Sequence, residues 1–202
     1  MSLFPIFLKL EGRRCLVVGA GKIGESKISS LVEAGAHVHV VAREVSTLIA
    51  ELADAGVISL EKRSFELNDL DGIFLVIAAT SVTSLNQTIF EEAQARGVLC
   101  NAVDDPERCD FYYGAVVKRG DLQIAISTAG HSPALAQRLR RQLEVQFGPE
   151  YGEWLEQLGS VRKQLFSSEI DPEVRRNLLH EIASQHAFDA LHSLCAKGQE
   201  SN

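Results

Sequence analysis

Cys15-Leu16-Val17-Val18-Gly19-Ala20-Gly21-Lys22-Ile23-Gly24 runs from four apolar residues through a glycine-rich turn into a stretch of helical period. The apolar run reads as a buried strand and Lys22 to Ala34 as a helix, so the glycines lie where strand hands over to helix. In that context each glycine has its own work. Gly19 permits the tight turn, Gly21 lets backbone approach a pyrophosphate, and Gly24 lets the helix pack close to the strand. The free N–H groups at the helix start, from Lys22, Ile23 and Gly24, then face the phosphates. The reading is a dinucleotide site, and a bare glycine turn without ligand is its bland alternative.

Working outward, the same alternation continues. His37–Val41 reads as a strand, Ser46–Ala55 as a helix, Val57–Leu60 as a short strand, Ile73–Ala79 as a strongly apolar strand, Ser84–Arg96 as a helix and Val98–Val103 as a strand. Runs rich in Val, Ile and Leu separated by helices are what a parallel sheet covered on both faces requires. The first 113 residues are thus expected to form a Rossmann-like, doubly wound α/β domain. From Gly114 to Ser127 the pattern changes to two strands around Arg119-Gly120-Asp121, hence an antiparallel pair. A helix starts at Ser132-Pro133, with Ser as N-cap and Pro at the first helical position, and runs to Phe147. Beyond Gly148-Pro149 the sequence is polar and helical, with a break at Asp171-Pro172. The expected divisions are 1–113, 114–148 and a helical tail over 149–202.

Two further places carry chemistry. An acidic residue at the end of the second strand would hold the adenosine ribose; here the strand ends Val41-Ala42-Arg43-Glu44, so Glu44 suits a ribose hydroxyl and Arg43 a 2′-phosphate, leaving NAD and NADP both open. Asn101-Ala102-Val103-Asp104-Asp105-Pro106 ends the last parallel strand, where ligands sit in open α/β sheets, and makes both aspartates candidates beside an ordinary Asp-Pro turn. The loop Ser127-Thr128-Ala129-Gly130-His131-Ser132-Pro133, followed by Arg138, Arg140 and Arg141, offers hydroxyls, N–H groups and guanidinium groups suited to carboxylates or phosphates. His131 adds a potential base. His180, His186 and His192 fall six apart, which suits no metal pair on a helix, and Cys15, Cys100, Cys109 and Cys195 form no C-x-x-C, so no metal site is expected.

Composition bounds the function. The 202 residues are 46% hydrophobic and 23% charged, an ordinary globular balance. No apolar run approaches the ~20 residues of a membrane span and the first residues lack the features of a signal peptide, so a soluble cytoplasmic protein is expected. The formal charge of −7 disfavours a nucleic-acid partner. It is unevenly spread: residues 1–113 carry 10 basic and 16 acidic side chains, residues 114–150 carry 5 and 3, and residues 151–202 carry 5 and 8. Only the middle segment is positive.

With these residues in view, the chain resembles the precorrin-2 dehydrogenase and sirohydrochlorin ferrochelatase family, the dehydrogenase module of siroheme synthases. The resemblance rests on Leu3-Phe4-Pro5-Ile6-Phe7, Val18-Gly19-Ala20-Gly21, Ala78-Ala79-Thr80 followed by Asn86, Asn101-Ala102-Val103-Asp104, and Ile126 to Pro133, in order over residues 3–147. It implies oxidation of precorrin-2 to sirohydrochlorin with NAD as hydride acceptor, Asp104 as the central acid/base group and Thr80 beside the cofactor. It also implies a homodimer built on residues 114–147, and substrate contacts from Ser127, Thr128, His131 and Arg138. The substrate is a polycarboxylate, which gives the positive segment a purpose. Insertion of Fe2+ into sirohydrochlorin is a second activity that the resemblance leaves open. The methyltransferase module of fused siroheme synthases has no counterpart in these residues, so no methylation is expected. A dinucleotide-sensing regulatory module and a dehydrogenase for another small anion are the competing readings. Neither accounts for Asn101–Asp104 or the Ser/Thr/His loop.

Overall fold

The computed structural model describes residues 3–190, which divide between Tyr113 and Gly114 into two compact units. In the first, five parallel strands stand in the order β3-β2-β1-β4-β5: β1 (Arg14–Ala20), β2 (His37–Val45), β3 (Ser59–Glu61), β4 (Leu75–Ala78) and β5 (Leu99–Ala102). The helices α1 (Lys22–Glu33), α2 (Thr47–Asp54) and α3 (Thr83–Arg96) lie between them. This is the doubly wound order, with the chain reversing direction across the sheet between β1 and β4.

The strand sequences show why both faces are covered. Along β1, Cys15 and Val17 join one core cluster with Ile28 and Leu31 of α1 and Ile49 of α2. Their neighbours Leu16 and Val18 join a second, with Ile89 and Ala93 of α3. On β4, Leu75 and Ile77 divide from Val76 and Ala78 in the same way. Every residue of such a run is buried, each large side chain contributing about 1.5–3 kcal/mol, so strict polar alternation is absent.

Element ends follow local chemistry. The Ser46 hydroxyl accepts the Ile49 N–H and starts α2, and Gly97, at φ +67°, closes α3 in the left-handed region. Two expected strand starts shift. Val57 and Ile58 donate their N–H groups back to the Leu52 carbonyl and close α2, so β3 begins only at Ser59. Ile73 bonds back to Leu70 in like manner and the strand after it starts at Leu75. A 3-10 turn over Leu67–Leu70, which no helical or strand period marks in the sequence, is pinned by reciprocal bonds between Glu66 and Asp69 and delivers Leu70 to the core.

The second unit opens with the antiparallel pair β6 (Ala115–Arg119) and β7 (Leu122–Ile126), with Gly120 at φ +55° in the turn. Helix α4 (Pro133–Gln146) follows, its first turn capped by Ser132, whose hydroxyl accepts the Leu135 N–H at 3.2 Å. Arg119 reaches the other end of α4 and donates to the carbonyls of Glu144 and Phe147 at 2.9 and 2.8 Å, a cation where the helix dipole favours one. Helices α5 (Glu150–Ser167) and α6 (Pro172–Ile182) complete the unit around a cluster of Phe147, Tyr151, Trp154 and Phe188. Among the described residues no helix is long and apolar enough to cross a membrane. Cys195 and His192 lie outside them.

Candidate cofactor and acid/base site

The turn between β1 and α1 has the geometry of a cradle. Gly19 takes φ +96°, and a Cβ there would stand 2.6 Å from the Ala79 carbonyl oxygen, so only glycine fits. A Cβ on Gly24 would overlap the Gly19 carbonyl, which shows how closely helix packs on strand. Gly21 differs: it caps α1 in an ordinary extended conformation, and a Cβ there would meet nothing within 4 Å. Gly21 is thus a glycine that this chain's own packing does not require. The space in front of it, faced by the Lys22, Ile23 and Gly24 N–H groups with no side-chain cap, fits a pyrophosphate.

Around this turn the other residues divide. Arg43 and Glu44 are both exposed near the end of β2. The Thr80 hydroxyl is taken: it donates to Asn86 Oδ1 at 2.6 Å and accepts from the Val82 N–H at 3.2 Å, while Asn86 Nδ2 donates to the Thr80 carbonyl at 3.0 Å. Asn86 is buried, so Thr80 fixes the loop after β4 and leaves its backbone facing the glycine turn.

At the end of β5 the two aspartates separate by environment. Asp105 pairs with Arg108 and is tied into the following turn. Asp104 is exposed, stands at φ +61° and makes no hydrogen bond or ion pair among the described residues. The turn that presents it is braced by hydrogen bonds. Asn101, buried, donates to the Phe111 carbonyl at 2.8 Å, and Asp110 accepts the Cys100 N–H at 2.8 Å together with the Gln94 amide. A left-handed non-glycine residue costs energy and marks a functional candidate. Lys27, which belongs to no motif of the sequence, faces this corner from α1: its Nζ lies 3.3 Å from the centre of the Tyr113 ring, and burial lowers its pKa while the Asp104 charge opposes the shift. The available signal was its place three residues after Gly24, on the same side of the helix.

In the second unit, Ser127, Thr128 and His131 share one loop. Ser127 Oγ accepts the Ala129 N–H at 3.1 Å, Thr128 Oγ1 accepts the Ser132 N–H at 3.3 Å, and the Thr128 carbonyl accepts the His131 N–H at 2.9 Å. Ala129 stands at φ +49°. His131 is exposed, as are His180 and His186. The positive charge of this segment is partly committed, Arg119 to helix carbonyls and Arg140 to Glu144. Arg138 and Arg141, three apart on α4, are the exposed arginines left over.

The cysteines Cys15, Cys100 and Cys109 are free thiols. Burial pushes Cys15 up to about 11 and Cys100 up to about 12, so both stay protonated as packing groups. A wide cleft of about 720 Å³ lies elsewhere, near the amino ends of β1 and β2, with His37, His39, Arg63 and Asp69 among its lining. Within it Arg63 is paired with Glu61 and Asp69, and His39 bonds to Ser59 at 2.8 Å. Ligands of open α/β sheets bind at the carboxyl ends of strands, which favours the glycine turn as the site.

Fold and cradle together define an NAD(P)-binding Rossmann domain followed by a small strand–helix unit. Residues 6–115 match the family described as putative NAD(P)-binding, and residues 119–146 match that described as sirohaem biosynthesis protein central. The chain belongs to the first of these, the NAD(P)-binding family, and its central segment matches the second. It is 37% identical over 177 residues to a siroheme synthase of Methylococcus capsulatus, covering 88% of this chain and 37% of the relative. With a siroheme synthase of Methylobacillus flagellatus it is 43% identical over 152 residues, covering 75% and 32%. The chain therefore spans about a third of the length of these curated relatives. Among solved structures it is similar to SirC, a precorrin-2 dehydrogenase, with TM-score 0.79 and 27% identity over 91% of this chain and 90% of that one.

Proposed function

We propose that this chain oxidises precorrin-2 to sirohydrochlorin in siroheme biosynthesis, with NAD as hydride acceptor and Asp104 as proton acceptor. The observation that carries the reading is the division of labour at the end of β5. Asp105 is consumed by Arg108, whereas the adjacent Asp104 is held in a left-handed backbone, unbonded and open, in the unit that carries the dinucleotide cradle. The likeness to SirC, over 91% of this chain and 90% of that one, supports the substrate.

When bound, NAD supplies a two-electron acceptor. The chain's own part is to hold it and to manage the proton. The N–H groups of Lys22, Ile23 and Gly24 take the pyrophosphate, Gly21 leaves it room, and Glu44 and Arg43 flank the adenosine ribose. Loss of a hydride leaves the macrocycle cationic, and loss of a proton completes the new conjugation. A carboxylate beside that charge stabilises it and accepts the proton, the role of Asp104. Thr80 acts through the loop it fixes. Ser127, Thr128, His131 and Arg138 bind the carboxylate side chains of the substrate, Arg138 by charge-assisted hydrogen bonds.

A homodimer through residues 114–148 belongs to the same reading. A two-stranded sheet is marginal by itself. Here Val117 is the only buried residue of β6 and β7, Ala136 the only one of α4, and Val116, Leu135 and Val145 stay exposed. That apolar surface suits a second copy.

The test is to supply precorrin-2 and NAD anaerobically and follow NADH and sirohydrochlorin together. Matching appearance of both supports the reading, and no product with NAD or NADP overturns it. Adding Fe2+ to sirohydrochlorin tests iron insertion separately, against the rate without protein.

A further inference from the structure

Helix α1 begins at the dinucleotide cradle and, one turn past Gly24, carries Lys27 to the corner where Asp104 stands. Lys27 is half-buried, and its ammonium rests 3.3 Å from the centre of the Tyr113 ring. Tyr113 is steadied by Phe111, with ring centroids 5.8 Å apart, and the Phe111 carbonyl is held by Asn101 of β5. Helix, aromatic pair and strand end thus form one frame around a cation that makes no direct ion pair among the described residues.

A cation seated on an aromatic face is attracted by the ring's electron cloud, which offsets part of the cost of burying it. The other polar groups of the corner have partners of their own. Asp105 has Arg108, Asp110 has the Cys100 N–H and Gln94, and the Cys109 thiol donates toward the Ala102 and Asp105 carbonyls. Burial keeps the Tyr113 phenol and the Cys15 thiol uncharged at neutral pH. The Asp104 carboxylate acts on the Lys27 ammonium and favours its charged form, and among the described residues no hydrogen bond aims that carboxylate.

We propose, on the basis of the dehydrogenase reading above, that Lys27 is a positioning residue: from its seat on Tyr113 its ammonium orients the Asp104 carboxylate toward the substrate carbon that gives up a proton. The pull is strongest while Asp104 is ionised and falls away when it accepts the proton, so Lys27 favours the carboxylate in the orientation that receives it.

Two measurements on the full chain test this. The first follows the Lys27 side chain by NMR, in lysine labelled with 13C and 15N, through a pH titration of the wild type and of Asp104→Asn. Asn tolerates the left-handed backbone, so that variant keeps the fold. The Lys27 midpoint is expected to move down in Asp104→Asn, because the charge that favours the ammonium is gone. An unmoved midpoint overturns the proposal.

The second measures turnover of Lys27→Met and Lys27→Arg with precorrin-2 and NAD. Lys27→Met is expected to lose about tenfold to a hundredfold in kcat with NAD affinity unchanged, and Lys27→Arg to recover most of it. A rise in KM alone would make Lys27 a substrate anchor, and equal losses in both variants would make it structural; either overturns the proposal. Should Lys27→Met melt early, the Asp104→Asn titration still decides, since it leaves Lys27 in place. A wild-type chain that binds NAD yet makes no NADH sinks the dehydrogenase reading itself, a result separate from an unmoved Lys27 midpoint in an active enzyme.

Discussion

Gly19 packs so closely on the backbone after β4 that a methyl group there would stand 2.6 Å from the carbonyl oxygen of Ala79, and its φ of +96° already excludes ordinary side chains. Gly19→Ala is therefore expected to destabilise the chain by about 2 kcal/mol or more, from backbone strain and overlap together. Thermal melting without cofactor checks this. An unchanged melting temperature would mean that the turn relaxes freely.

Gly21 gives the contrasting outcome. A Cβ there meets nothing in the protein, so Gly21→Ala should melt within a degree or two of the wild type. Its methyl group enters the space assigned to the pyrophosphate, so NAD affinity should fall about tenfold or more. Calorimetric titration with NAD separates the two effects, and full affinity in the variant would move the dinucleotide elsewhere.

For Asp104 the informative change is to Asn rather than Ala, because φ of +61° strains alanine and would blur a loss of chemistry with a loss of fold. Asp104→Asn should lower kcat by about 10²–10⁴ while NAD affinity holds. Turnover near wild type would pass the role to another group.

Acid stability should depend on Asp69. Burial works against its ionised form, but the Arg63 fork, at 2.6 and 2.9 Å, and the Glu66 N–H outweigh that and hold the carboxyl below its ordinary range. A folded-state value below the unfolded one gives stability that is present above the unfolded value, about 3.9, and is lost as pH falls through the folded value. Asp69→Asn should cost about 1–3 kcal/mol near neutrality, Arg63 being partly exposed, and the gap to wild type should close as pH falls below about 4. Urea unfolding across that window tests it, and a gap independent of pH would assign the cost to packing.

Ala129 offers a gain. At φ +49° alanine carries strain that glycine lacks, about 1 kcal/mol, partly offset by the greater freedom of glycine in the unfolded chain. Ala129→Gly should raise stability by up to about 0.5 kcal/mol with turnover retained. A measured loss would show that the Ser127–Ser132 loop relies on the methyl group.

How much of this was legible beforehand follows from the range of the interactions. The glycine turn, the alternating apolar runs, the Ser132-Pro133 and Asp171-Pro172 helix starts and the change of pattern after residue 113 are local, and a strand buried on both faces announces itself through unbroken Val, Ile and Leu. Those residues determined the doubly wound domain and its dinucleotide turn. What the linear order left open was settled by groups distant in the chain. Asp104 and Asp105 are indistinguishable as neighbours until Arg108 takes one and the left-handed turn exposes the other. Thr80 stands in the linear order as a bare hydroxyl after a strand, and only the fold hands that hydroxyl to Asn86. Lys27 looks like a surface residue of an amphipathic helix until Tyr113, far along the sequence, arrives beneath its ammonium. Helix and strand periods are written in neighbouring residues, whereas the ionisation and aim of a side chain depend on which charges and rings the fold brings within a few ångströms, and only tertiary packing decides that.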